Sequence, residues 1–231
     1  MSYSITGFAY LVLSFAIGFL IYRVFQYWKK EKDVVSKLLF YIFSAFWLFI
    51  LIKAIGGLFF AKNLFFLRFT INFGVFLQAL AFSIMVYFAV YVKLSPKISP
   101  WWGFAPIFIL GMMSTYLTIV VPFNPFLEPS GAINWGPPVA SNFAINLRIF
   151  LFLIAFIPAI FIFFEQLQKA QDVYTKRKTL GFIILSLIVI IGALFDFVFA
   201  NIGSIWRDIL FIFGGIIIFV IFAPGQKERS T

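Results

Sequence analysis

Among the polar side chains that interrupt the long apolar stretches of this 231-residue sequence, eight have types that suit ion pairing and ligand binding. They are Lys53, Arg68, Asn72, Asn142, Asn146, Asp196, Arg207 and Asp208. An ionisable group at membrane depth is costly unless it is paired or hydrated, so each is a candidate functional residue. The cations of this set outnumber its carboxylates by one. The surplus positive charge favours an anionic or zwitterionic ligand.

The spacing of these residues predicts which of them share a helix face. Arg68 and Asn72 are four residues apart, and so are Asn142 and Asn146. Residues four apart lie on the same side of a helix, so we expect two polar faces here. Arg148 lies about 200° around the helix from Asn146. We therefore place Arg148 outside the shared face, with its side chain reaching toward the membrane surface.

A short connection between the last two helices predicts an ion pair. Asp196 lies about five residues before this turn and Arg207 three residues after it, so an antiparallel hairpin brings them to similar depth. We expect an Asp196–Arg207 pair. Asp208 points in another direction on the helix, and we expect it to meet Arg68 or Lys53.

The same residues also fit a structural role, which the sequence leaves open. Long charged side chains near helix ends commonly extend to the headgroups. Polar side chains between helices also hold membrane bundles together without binding a ligand. Asp196 and the asparagines fit this interpretation less well, because their short side chains do not reach far.

The composition excludes much catalytic chemistry. The chain has no Cys and no His, which excludes disulfides, thiolate or imidazole metal ligands and the usual nucleophile–histidine arrangements. The segment 205–222 contains no Lys for a retinal Schiff base. Asp196 and Asp208 lack the preceding glycine typical of intramembrane aspartyl proteases. We find no nucleotide-binding motif. We therefore expect a non-enzymatic protein without metal or cofactor.

The elements that must position these residues are long apolar helices. Hydrophobic residues make up 63% of the chain and charged residues 11%, with a mean hydropathy of +1.06. Seven apolar stretches have about the length that crosses a bilayer. They cover residues 7–25, 38–60, 64–92, 103–121, 142–164, 180–200 and 205–222. The sequence predicts an all-α integral membrane seven-helix bundle with a single transmembrane domain over residues 1–231.

The distribution of basic residues predicts the orientation of the bundle. Of the 18 Lys and Arg residues, 13 fall on one side if the N-terminus is outside. Cytoplasmic loops carry such an excess, so we expect the N-terminus outside and the C-terminus inside. The net charge of +10 is then a feature of membrane topology, and we expect no nucleic-acid partner. The eight polar residues map mainly to the outer third of their helices.

The loop at 122–141 contains five prolines and is predicted to lie outside. Proline fixes φ and lacks an N–H, so we expect a stiff segment that is neither helix nor strand. Loops of this length are often functional. It can be a lid over an outward cavity, a docking surface, or a rigid spacer between two helix ends.

Two segments carry a resemblance to a known family. The basic segment Lys176–Gly181 leads into the sixth apolar stretch, and Arg207–Gly214 begins the seventh. This pattern resembles the seven-helix sensor regions of prokaryotic histidine kinases and related archaeal receptors. The resemblance implies ligand sensing at the outer face. The tail at 224–231 is too short for an output domain, so the resemblance also implies coupling to a separate partner.

Together these patterns predict a receptor- or sensor-like protein of a prokaryotic cell membrane. Its outward-facing pocket, formed by helices two, three, five, six and seven, is expected to bind a small anionic or zwitterionic ligand. Its expected partners are membrane lipids and another membrane or cytoplasmic signalling protein. Two alternatives stay open: a transporter or channel subunit, and an accessory subunit of a larger membrane complex.

Overall fold

The computed structural model describes residues 4–136, 142–197 and 204–222, which form an all-α bundle of seven helices. The helices are α1 (Ile5–Glu31), α2 (Val34–Phe59), α3 (Leu64–Leu94), α4 (Trp101–Val120), α5 (Asn142–Lys169), α6 (Val173–Phe197) and α7 (Ser204–Phe222). All seven are long and apolar enough to cross a membrane. A helix satisfies its backbone hydrogen bonds internally, as lipid requires. The chain is a polytopic membrane protein, as the sequence predicted.

Several helices are longer than their apolar stretches. The basic segment after 164 is divided between two helices: α5 ends at Lys169 and α6 begins at Val173. Asp172 separates them, because its Oδ1 accepts a hydrogen bond from the backbone N–H of Thr175 at 2.7 Å. Side-chain capping of this kind favours a new helix start. The predicted helix end at 198–200 and the turn at 201–203 lie outside the described residues.

The first three helices begin at polar caps that their sequences supply. Ser4 accepts a hydrogen bond from the N–H of Gly7, Asp33 from that of Ser36 and Asn63 from that of Phe66. Ser, Asp and Asn are preferred at this position because their side chains satisfy otherwise unpaired N–H groups. The caps at Asp33 and Asn63 allow short connections. Consecutive helices α1, α2 and α3 therefore pack side by side as antiparallel neighbours.

Six of the helices form a closed ring. Around it, α1 packs on α2, α2 on α3, α3 on α5, α5 on α6, α6 on α7, and α7 returns to α1. Helix α4 packs on the outside, against α3 and α5. Only 28% of its spanning segment is buried inside the protein, less than in any other described helix. The ring therefore encloses an interior that α4 does not line.

The loop between α4 and α5 contains a small β-hairpin. Strands β1 (Phe126–Leu127) and β2 (Ile133–Asn134) pair antiparallel. The prediction that the loop contains no strand is therefore wrong for these residues. The prolines flank the strands rather than interrupt them, which leaves the ladder N–H groups in place. Residues 137–141, with two of the five prolines, lie outside the described residues.

Hydrogen bonds fasten this hairpin to one end of the bundle, which we call the loop end. The N–H of Ile5 donates to the carbonyl of Gly131 at 2.9 Å, and the Ser204 hydroxyl donates to Glu128 at 3.0 Å. At the opposite end, which we call the basic end, Lys93 pairs with Glu165. The hairpin thus ties the starts of α1 and α7 together.

Candidate functional site

Arg207 on α7 is the centre of a buried hydrogen-bond network and is only 1% exposed. Its Nη1 donates to Oδ1 of Asp196 at 2.5 Å. Its Nε and Nη2 donate to Oδ1 of Asp208 at 2.9 and 2.7 Å. Nη2 also donates to the hydroxyl of Thr6 and the carbonyl of Ile133, both at 3.1 Å. The predicted Asp196–Arg207 pair is confirmed, and the network joins α1, α6, α7 and the loop.

Asp208 is fully buried and belongs to the same network. Its Oδ2 accepts a hydrogen bond from the Thr6 hydroxyl at 2.5 Å, and its Oδ1 accepts from Arg207. The prediction that Asp208 meets Arg68 or Lys53 is therefore wrong. Adjacent helical residues point about 100° apart, which suggested different partners. The arginine stem is long enough to fold back and bond its neighbour.

Lys53 on α2 points its ammonium into a group of aromatic rings. Nζ lies 4.0 Å from the ring centre of Trp135, 5.3 Å from that of Phe49 and 5.6 Å from that of Tyr10. Ring faces attract a cation, most strongly for Trp. Oδ2 of Asp196 is 4.0 Å from Nζ, which is too long for a hydrogen bond. Lys53 is thus held by charge and ring faces.

A central cavity of about 50 Å³ lies inside the ring, beside this network. Every helix of the ring contributes to its wall, and Phe123 and Trp135 contribute from the loop. The polar and charged lining consists of Tyr10, Lys53, Gln78, Trp135, Arg148 and Asp196. One water needs about 10–15 Å³ of such space. The cavity can therefore hold a few waters or a small ion.

The formal charges of the described residues that line the cavity sum to one positive charge. Lys53 and Arg148 are cationic, and Asp196 is the carboxylate on the wall. Arg207 and Asp208 lie behind it and balance each other. The predicted surplus of one positive charge is therefore found among the lining residues, although Arg148 supplies it in place of Arg68.

Arg148 and Asn146 have exchanged the places that the sequence suggested. Arg148 is 6% exposed and lines the cavity. Its Cζ lies 5.1 Å from the ring centre of Phe123. Asn146 is on the exposed surface of α5. The separation of the two side chains around the helix was right, but the inward face was assigned wrongly. Reading Arg148 as a residue that reaches the membrane surface is therefore wrong.

The other predicted site residues lie away from the cavity wall. Arg68 is half-buried, donates through Nε to the carbonyl of Phe123 at 3.1 Å and bonds the side chain of Asn124. It therefore anchors the loop. Asn72 is half-buried on the same helix and does not line the cavity. The side chain of Asn142 lies outside the described part of the chain.

Thr6, Tyr10 and Trp135 are among the residues of the site that the sequence prediction did not include. Thr6 donates to Asp208 and accepts from the N–H of Ile133 at 2.7 Å. Tyr10 and Trp135 line the cavity and meet edge to face, with ring centres 6.1 Å apart. Their positions depend on α1 and the loop, which were not assigned to the pocket. No local pattern in the sequence distinguishes them.

Two further cavities neighbour the central one along the ring. A middle cavity of about 30 Å³ shares Phe46, Ile50 and Val189 with it. A basic vestibule of about 410 Å³ follows toward the basic end, and it shares Leu39, Phe88 and Phe163 with the middle cavity. Three neighbouring cavities thus extend from the charged network to the basic end.

No protein-family model matches this chain, and no match was found among curated proteins. The fold and the site therefore define its class. It is a polytopic seven-helix membrane protein in which a buried charge network borders a central cavity.

Proposed function

We propose that this protein is a non-enzymatic, receptor-like protein of a prokaryotic cell membrane whose central cavity binds a small anionic or zwitterionic ligand. One observation carries the proposal: the Lys53 ammonium borders the cavity, and the nearest carboxylate oxygen among the described residues is 4.0 Å away. Ring faces stabilise its charge but accept no conventional hydrogen bond. A carboxylate or inorganic anion supplies the acceptor that this buried donor lacks.

A second donor on the cavity wall supports the same chemistry. The indole N–H of Trp135 is buried and makes no hydrogen bond of normal geometry to a described residue. Buried polar groups nearly always have a hydrogen-bond partner. An anion bound between Lys53 and Trp135 would accept a hydrogen bond from this N–H. For a zwitterion, Oδ2 of Asp196 is the counterpart of the ligand's ammonium group. The size of the cavity limits the ligand to a few non-hydrogen atoms.

Signalling follows in this proposal from competition for Asp196. The same carboxylate holds Arg207 on α7 and faces Lys53 on α2. A ligand that draws Lys53 away changes the charge balance between α2, α6 and α7. Receptor action requires two helix arrangements with different affinities for the ligand. The changed arrangement is read by a separate membrane or cytoplasmic signalling protein.

Small anions are expected to raise the melting temperature of the purified protein through Lys53. Acetate, chloride, nitrate and glycine are compared with gluconate, which is too large for the cavity, at equal ionic strength in a neutral detergent. At 100 times Kd, a bound ligand stabilises by about 2.7 kcal/mol. Lys53→Met removes this stabilisation, whereas Lys62→Met, an exposed lysine at the loop end, keeps it.

The proposal of an anion site is wrong if none of these anions stabilises the protein in a Lys53-dependent manner.

The three neighbouring cavities favour transport as a second candidate, since they extend through the ring. Anion flux into proteoliposomes that Lys53→Met abolishes would establish transport in place of sensing. The apolar middle cavity, where Ser186 is the polar lining residue, favours a closed site over a continuous path.

We also propose that the loop end faces the outside. The chain has no Cys, so single cysteines report topology without background. In intact cells a membrane-impermeant maleimide is expected to label Ser130→Cys in the loop, and to label Ser99→Cys between α3 and α4 only after permeabilisation. Both serines are exposed. The reverse labelling pattern would place the N-terminus in the cytoplasm and contradict the proposed orientation.

A further inference from the structure

We propose that the basic vestibule binds an anionic amphiphile with one acyl chain and a hydroxylated phosphate headgroup, which is a lysophospholipid in chemical class. The vestibule is far larger than the central cavity and lies at the other end of the ring. This inference does not depend on an anion in the central cavity, because the two sites have different charged residues.

The polar half of the vestibule matches a phosphate group. Arg23 on α1 and Lys178 on α6 line it from two sides, and Asp33 is the carboxylate on its wall. The formal charges of the described lining residues therefore sum to one positive charge. Ser36, Thr175 and Thr179 add hydroxyl groups to the same wall. Basic pockets between membrane helices recognise anionic headgroups through such residues.

Asp33 indicates that the headgroup carries a hydroxyl. Its Oδ1 accepts the capping hydrogen bond from the N–H of Ser36 at 2.8 Å. Its Oδ2 is buried without a hydrogen-bond partner among the described residues. A buried acceptor of this kind is rarely left unpaired. A glycerol hydroxyl beside the phosphate can donate to Oδ2, whereas a simple inorganic anion would be repelled by it.

The deeper half of the vestibule matches an acyl chain. Phe88, Phe163, Phe182 and Phe222 line it, and Phe88 and Phe163 continue into the middle cavity. Phe182 is fixed between Phe163 and Phe222, with ring centres 5.2 and 5.4 Å away. The vestibule thus combines a basic mouth with an apolar end. A small inorganic anion would leave the apolar end empty, whereas the acyl chain of an amphiphile fills it.

Native mass spectrometry with two matched probes tests the site. Palmitoyl lysophosphatidylglycerol and palmitoyl lysophosphatidylcholine have the same chain, but only the first has a net negative charge and a glycerol headgroup. We expect one tightly bound lysophosphatidylglycerol per protein. Arg23→Gln and Lys178→Gln each weaken its binding roughly fivefold, the usual contribution of one basic residue near a membrane surface. The choline lipid has no net charge and no glycerol hydroxyl for Asp33, so it is expected to bind the wild type more weakly than lysophosphatidylglycerol.

Lys176→Gln is the matched control, because this lysine is exposed on the same helix and does not line the vestibule. Its affinity for lysophosphatidylglycerol should equal that of the wild type. The proposal is overturned if both lipids bind equally, or if Arg23→Gln and Lys178→Gln leave the affinity unchanged. Equal weakening by Lys176→Gln also overturns it, since that result indicates general attraction to the basic end. A single peak in size-exclusion chromatography verifies that each variant is folded.

Discussion

Replacing Arg207 with Met is expected to lower the free energy of unfolding by about 3–5 kcal/mol, the usual cost of removing one partner from a buried ion pair. Arg207 donates five hydrogen bonds to Asp196, Asp208, Thr6 and the loop. Its loss leaves the carboxylate of Asp208 fully buried without a cation. The yield of monodisperse protein and its melting temperature measure the effect. Both should fall sharply.

Two further variants show whether the uncompensated charge is the cause. Adding Asp208→Asn to Arg207→Met removes the buried negative charge and should restore part of the lost stability, since removing both partners costs less than removing one. Lys62→Met, which changes an exposed lysine at the loop end, should melt close to the wild type. If Arg207→Met alone melts like the wild type, the network contributes little to stability and the site has to be reinterpreted.

The depth of the charged cluster could be predicted because hydropathy fixes where each helix begins and ends. Asp196 and Arg207 were expected to meet, since a short connection between consecutive helices leaves little freedom in their relative depth. Their observed pair at 2.5 Å follows from that constraint. The surplus of one positive charge agrees with the prediction only because Arg148 lines the cavity in place of Arg68.

The rotation of each helix about its axis could not be predicted in the same way. In a membrane helix apolar residues cover both the lipid-facing and the core-facing side, so no periodic pattern identifies the inward face. Arg148 and Asn146 illustrate the problem: their angular separation is correct, yet their inward and outward roles are reversed. The neighbouring helices α3 and α6 decide which of the two faces the ring.

The contributions of α1 and the loop depend on contacts between residues far apart in sequence. Thr6 bonds Asp208, which is 202 residues away, and Ile133, which is 127 residues away. The prolines of the loop indicated stiffness but not where it packs. The buried positions of Phe123 and Trp135 follow from that packing, with Arg68 bonding the carbonyl of Phe123. Local sequence patterns do not predict such contacts between distant residues.

Replacing Gly57 with Ala is expected to force α1 and α2 apart at the loop end. A Cβ at position 57 would lie 2.7 Å from Cα of Gly7 and 2.9 Å from its N, which are backbone atoms that no rotamer change can move. Small residues allow membrane helices this close an approach. Overpacking costs about 1–3 kcal/mol, which exceeds the gain of about 1 kcal/mol in helix propensity from Gly to Ala. The melting temperature should fall.

This contact also positions the charged network, because Thr6 immediately precedes Gly7. The hydroxyl of Ser4 donates to the carbonyl of Gly57 at 2.8 Å, which fixes the start of α1 against α2. Separation of the helices should therefore move Thr6 away from Asp208 and weaken anion binding, measured as the ligand-induced shift in melting temperature. Gly215→Ala is the control, since its Cβ would meet the side chain of Val12 at 3.2 Å, where a small adjustment suffices. Equal losses of stability and of anion binding in both variants would show that the Gly7–Gly57 contact has no special role in positioning the site.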